Sequence, residues 1–134
     1  MREVRVETAG GKFGQKVRIG THEIPADEPR EDGGDDAGPS PHELLLAALG
    51  ACSSMTLRLY ADRKGWPLRS VEVRLTGHRA TEAEYRIERF LQLEGDLTDE
   101  QKARLVEIAE KCPVARTLKG TITIDTRLAG ALVA

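Results

Sequence analysis

The stretch "GPSPHELLLAALGACSSMTLRLYADRKGWP", Gly38 to Pro67, sets the tightest constraint on how this chain folds. Its start is marked. Ser40 is a good N-cap, Pro41 suits the first helical position and Glu43 completes a capping box. Gly65 and Pro67 mark its end. Between these signals Leu44, Leu45, Leu46, Leu49, Met55, Leu57 and Leu59 cover most directions round the axis, which makes this a central helix. Ser53, Ser54, Thr56 and Arg58 begin a wetter half after Cys52. A small chain has a sheet to cover one side of such a helix. A second copy placed back to back would cover the other, so the pattern predicts an obligate dimer.

The rest of the chain supplies that sheet. Its 134 residues are the size of one ordinary domain, taken as 1–134. Arg2 to Thr8 and Phe13 to Ile19 alternate as strands, with "AGGK" as the turn. Thr21 to Pro41, containing "ADEPREDGGDDAGPSP", reads as a polar loop, long for a compact domain. Its acidic part, Ala26 to Gly38, is either a solvated connection or a lid. Ser70 to Thr76 and Glu84 to Leu93 form a hairpin through "GHRATEA", and the phase shift in "RFLQL" predicts a bulge. Thr98 to Lys111 is a second helix, with Thr98 and Gln101 as a capping box and Leu105, Ile108, Ala109 and Cys112 as one stripe. Pro113 discourages helical geometry at Cys112, and a short helical turn runs from Pro113 to Gly120. Thr121 to Leu128 completes the order as a strand with Ile122, Ile124 and Leu128 inward. Strands in antiparallel runs point to an α+β fold.

Charge and cysteine usage narrow the function classes. The formal net charge is −2, which gives no basic field for nucleic acid. "MREVRVETAG" lacks an apolar h-region, and the apolar run Leu44 to Leu49 is too short to span a bilayer. A cytoplasmic protein without a membrane partner is expected. Two cysteines in that setting suggest a transient redox role rather than a permanent staple. His22, His42 and His78 are scattered, so neither a metal nor a cofactor is expected.

The cysteines themselves leave alternatives open. Cys112 lies on the apolar stripe and reads as core. It also stands where free amides begin a new helical turn and favour an anion. Cys52 is mid-helix, where the dipole helps little, so activation needs a cationic neighbour from elsewhere. Packing is the default for each.

"GPSPHELLLAALGACSSMTL", followed by "CPVARTLKGTITID", strongly resembles the OsmC/Ohr family of hydroperoxide-reducing proteins, in one of its less-studied branches. The resemblance implies an intertwined homodimer, with antiparallel sheets wrapped around central buried helices and active sites at the subunit interface. It implies that Cys52 attacks the O–O bond of an organic hydroperoxide and that Cys112 resolves the sulfenic acid to a disulfide. An external dithiol reductant then restores both thiols. The family's thiolate-holding arginine falls at Lys12 in "GGK", with Arg18 or Arg5 as substitutes. Its glutamate falls at His42, with Glu43 next, and capping is the first role for Glu43. Glu43 and Cys52 are nine residues apart, roughly 13 Å along a helix, so either acid-site residue would reach Cys52 from a partner subunit or past a bend. The alternative is a binding or redox-sensing module with an inert Cys52 and a small apolar ligand at the interface.

Overall fold

The computed structural model describes residues 1–130 of the chain. The chain divides into two compact units, Met1–Gly50 with Arg74–Phe90, and Ala51–Val73 with the chain from Leu91 onward.

The first unit holds a three-stranded antiparallel sheet, β1 (Val4–Thr8), β2 (Gln15–Ile19) and β3 (His22–Ala26), in the order β1-β2-β3. Val6 faces Val17 across β1 and β2, and Val17 faces Ile24 across β2 and β3. The third strand corrects the loop expected from Thr21 onward. Pro25 hides it in the sequence, because proline removes a ladder donor. It is tolerated here because β3 is an edge strand. A two-residue turn links Ile19 to His22, and Gly20 takes φ 61 there, a left-handed conformation that glycine adopts without strain.

From β3 the chain enters the acidic loop, which is organised around one buried carboxylate. Asp27 accepts the N–H groups of Glu28 at 2.7 Å and of Asp35 and Ala37 at 3.2 Å each. The Asp27 N–H donates to the Pro39 carbonyl and closes the loop's base. Burial would raise the pKa of Asp27, but the three backbone donors outweigh it and hold the carboxyl below its ordinary value. The loop is therefore a clasp that delivers Ser40 to the next helix.

Helix α1 (Pro41–Lys64) runs from the first unit into the second. Its capping box forms as expected: Glu43 Oε1 accepts the Ser40 N–H at 2.8 Å, and the Glu43 N–H donates to Ser40 Oγ at 3.3 Å. At its other end Gly65 takes φ 70 and the Trp66 N–H reaches back to the Ala61 carbonyl. With 24 residues, α1 has the length and apolarity of a bilayer-crossing segment, more than the short run Leu44–Leu49 suggests. Its Leu57 and Ala61, however, are buried against protein.

The strands β4 (Leu68–Arg79) and β5 (Tyr85–Gly95) form a hairpin. The expected bulge does not interrupt β5. Tyr85, Ile87, Arg89, Leu91 and Leu93 share one half-buried face without a change of phase. Phe90 points outward, and the Arg74 guanidinium lies 6.0 Å from its ring centroid.

In the second unit α2 (Asp99–Ala109) starts at a complete capping box of Thr98 and Gln101. Its stripe packs into a core of Leu57, Ala61, Leu68, Leu105, Ile108 and Ala109, with Leu91 and Leu93 of β5 against it. The short helix α3 (Pro113–Lys119) follows, with Cys112 as N-cap and Pro113 in the first turn. The strand expected over Thr121–Leu128 pairs with no other segment among the described residues, and Ile122, Ile124 and Leu128 are exposed rather than inward. Alternation is present, but a strand also needs a neighbour for its N–H and C=O groups.

Candidate functional site

Both cysteines lie at the start of α3. Cys112 is the N-cap, in extended geometry with φ −65 and ψ 144, and is fully buried. Its place on the α2 stripe takes it into the core, and Pro113 then forces the chain out of helical geometry at residue 112. Proline at the first helical position leaves the next N–H, that of Val114, without a partner inside the helix. That N–H donates to Cys52 Sγ, with a nitrogen–sulfur distance of 3.4 Å.

This geometry changes the reading of Cys52. Its own helix offers its sulfur no free donor at a mid-helix position. Another helix does, through its N-terminal amide, the kind of group that favours negative charge. The amide expected to serve Cys112 serves Cys52 instead. The motif "CPV" carries the signal, because Cys-Pro marks a helix start. The sequence does not say which sulfur the freed amide meets.

The thiols differ in burial. Cys52 is half-buried, whereas Cys112 has no exposed surface. Both are free thiols. Cys112 Sγ lies 3.9 Å from the hydroxyl oxygen of Ser53, which is itself fully buried. Ser53 follows Cys52 directly on α1, so adjacent residues of one helix hold both partners of the α3 start. Sequence reasoning placed Ser53 only in the wetter half of the helix.

The other candidates lie in the first unit, each with a partner there. Lys12 extends its ammonium over the Phe13 ring, 4.9 Å from the centroid. Arg18 pairs with Glu7 at 3.1 Å across β1 and β2, and Arg5 is opposite Arg18 in the ladder. His42 stacks on Tyr85 with ring centroids 5.0 Å apart, and the Arg79 guanidinium covers the Tyr85 ring at 5.6 Å. Glu43 serves as the capping carboxylate of α1. The bonds from the Ser40 N–H and then the Ser40 hydroxyl hold its pKa below the ordinary value. The structure thus brings Cys52 and Cys112 to one helix start and engages Lys12, Arg18, His42 and Glu43 elsewhere in the chain.

Chemically, a helix-start amide favours negative charge on the sulfur it meets, and the sulfur of Cys52 is the less buried of the two.

The fold recurs in solved structures. An OsmC-like protein from Mycoplasma pneumoniae is 20% identical and superposes with a TM-score of 0.76, over 90% of this chain and 88% of that one. An organic hydroperoxide resistance protein OsmC from Legionella pneumophila is 22% identical with a TM-score of 0.66, over 88% and 90% of the two chains. The organic hydroperoxide resistance protein OhrB of Bacillus subtilis is 22% identical with a TM-score of 0.61, over 88% and 91%. No curated protein matches the chain at the sequence level. The sequence model of the OsmC-like proteins matches residues 33–127, a span from the acidic loop through both cysteines to the last alternating segment, and the chain belongs to that family.

Proposed function

We propose that this protein is a thiol-dependent organic hydroperoxide reductase acting in oxidative-stress defence. The observation that carries the reading is Cys52 Sγ, half-buried and held on the Val114 N–H at the helix start that Cys112 caps. Cys52 attacks one peroxide oxygen as a thiolate. The O–O bond breaks, the alkoxide leaves and takes a proton, and Cys52 becomes a sulfenic acid. Cys112 then condenses with that sulfur, an S–S bond forms and water leaves. An external dithiol supplies two electrons and two protons to return both thiols. The Legionella and Bacillus proteins are named for organic hydroperoxide resistance, which supports the assignment by analogy of fold.

The working unit in this proposal is a homodimer. Leu45, Met55 and Leu59 leave an apolar stripe exposed along α1, at 37%, 70% and 51%. Thr121–Leu128 has the alternation of a strand and an open backbone, so a second copy offers it an edge. Lys12, Arg18, His42 and Glu43 belong to the proposed site as groups brought to Cys52 by that association. Sedimentation velocity tests it: a monomer at micromolar concentration would remove the dimer from the mechanism.

The deciding experiment is chemical. Stoichiometric cumene hydroperoxide is added to reduced protein, and free thiols, intact mass and peptide maps are followed. Loss of two thiols with a Cys52–Cys112 bridge is expected. Survival of both thiols in folded protein would overturn the enzyme reading. It would leave the binding or redox-sensing module, a reading favoured by the partners that Lys12, Arg18 and His42 already have.

A further inference from the structure

The second unit carries a hollow that the proposed chemistry does not use. It has a volume of about 450 Å3 and is lined by Tyr60, Trp66, Thr98, Glu100, Gln101 and Arg104. Tyr60 and Trp66 rest against the core of that unit and meet edge to face, with ring centroids 5.5 Å apart. Both are only half-buried, so each keeps aromatic surface for the hollow. Two cations flank the Tyr60 ring: the Arg104 guanidinium lies 5.7 Å from its centroid and the Lys64 ammonium 5.6 Å. Arg104 is fixed there, since its Nε donates to the Tyr60 hydroxyl oxygen at 3.1 Å and its Nη1 to Glu107 at 2.8 Å. Its Nη2 has no partner among the described residues, and Lys64 has no ion pair among them. Thr98 and Gln101 spend their side chains on each other as the capping box of α2, so they serve as wall.

We infer that this hollow is a binding site for a planar aromatic carboxylate. The ligand's ring lies against Trp66 and Tyr60, where apolar area and ring-edge contacts favour it. Its carboxylate meets Nη2 of Arg104 and the ammonium of Lys64. A guanidinium already held through Nε and Nη1 has little side-chain freedom left to lose, so the site is organised before the ligand arrives. Charge selects the ligand. Lys64 and Arg104 bring two positive charges, and Glu107 is the carboxylate bonded to Arg104. A neutral aromatic leaves that surplus unanswered, and an aromatic cation is repelled by it. Glu100, on the wall, opposes an anion and holds the affinity down.

Trp66 makes the test direct, because it is the chain's only tryptophan and gives its only indole N–H signal in a nitrogen-correlated NMR spectrum. The probes are naphthoate and its neutral analogue naphthalenemethanol, each titrated into the full chain. Naphthoate is expected to shift the Trp66 signal saturably. The alcohol is expected to bind about tenfold more weakly, the scale of a hydrogen bond to a charged group. Arg104→Gln and Lys64→Gln are each expected to weaken naphthoate severalfold, Arg104→Lys to recover part of the loss, and Glu100→Gln to tighten binding. Lys64 is exposed, so Lys64→Gln carries the test should Arg104→Gln fail to fold. Absence of a saturable shift overturns the site. Equal affinities for acid and alcohol, or a naphthoate affinity unchanged by removing either cation, would leave an apolar patch and overturn the anion assignment. No peroxide enters the experiment, so its outcome is independent of the peroxidase reading.

Discussion

The contact between the Val114 N–H and Cys52 Sγ can be removed without touching either cysteine. Val114 is the second residue of α3, and its N–H lies in the first helical turn, where no carbonyl of the helix waits for it. Proline is tolerated in the first turn, so Val114→Pro deletes the donor, although it also disfavours helical geometry at Pro113 and can shorten α3 by that residue. Val114→Ala is the control, since it trims the same side chain and keeps the N–H. A hydrogen bond to a charged acceptor contributes about 1.5–3 kcal/mol. The 3.4 Å nitrogen–sulfur distance puts this one at the low end, and the rest of the α3 dipole survives the substitution. The net loss is about 1.4 kcal/mol, or roughly tenfold in the rate of attack by the sulfur. Iodoacetamide alkylation of Cys52, followed by peptide mass, measures that rate without assuming any peroxide chemistry. Thermal unfolding of both variants checks that α3 remains docked. Equal alkylation rates in folded Val114→Pro and Val114→Ala would refute the reasoning and make the amide a bystander.

Other perturbations separate chemistry from packing. Cys52→Ser should abolish peroxide consumption with the fold intact, whereas Cys112→Ser should consume one equivalent and stop at the sulfenic acid; peroxide consumption by a ferrous-xylenol assay reads both. Leu105→Ala removes a fully buried side chain from the second unit's core and should cost about 2–5 kcal/mol, measured by urea denaturation. Asp27 and Glu43 both have folded pKa values held below their ordinary range, so each contributes stability that is present above about pH 4 and lost as pH falls through the lowered values. Asp27→Asn should therefore lower the melting temperature at pH 7 and flatten its fall between pH 5 and pH 2, and an acid limb identical to the parent's would show that the clasp does not depend on this charge.

Much of the fold can be read from local signals that physics makes short-range. Both capping boxes, Ser40 with Glu43 and Thr98 with Gln101, form as their spacing predicts, because each needs only four consecutive residues. The α2 stripe and the restart at Pro113 are local in the same way. The departures come where a neighbour in space decides. Pro25 argues against a strand until β2 is seen beside it, and Phe90 argues for a bulge until Arg74 is seen to cover it on the outer face. Thr121–Leu128 has strand chemistry but finds no strand to join among the described residues.

The site was legible in its residues and not in its contacts. Nothing between positions 52 and 114 fixes which sulfur the freed N–H of α3 will meet, since 62 positions of chain must first fold to bring them together. The helical period then decides the outcome. Successive residues of α1 point about 100° apart, so Cys52 and Ser53 present different faces, and one helix start can hold both. Cys52 meets the amide of α3 at its half-exposed side, and Ser53 meets the buried cap residue Cys112. On the proposed reading this division orders the reaction. The sulfur that a substrate can reach carries the donor that favours its charge, and the sulfur that a substrate cannot reach sits at the cap beneath it. Exchanging residues 52 and 53 would put a hydroxyl at the amide and a thiol at the cap, so the double variant Cys52→Ser, Ser53→Cys should keep two thiols and the same composition yet lose peroxide consumption. Retained turnover in that variant would show that the order of the two residues does not matter.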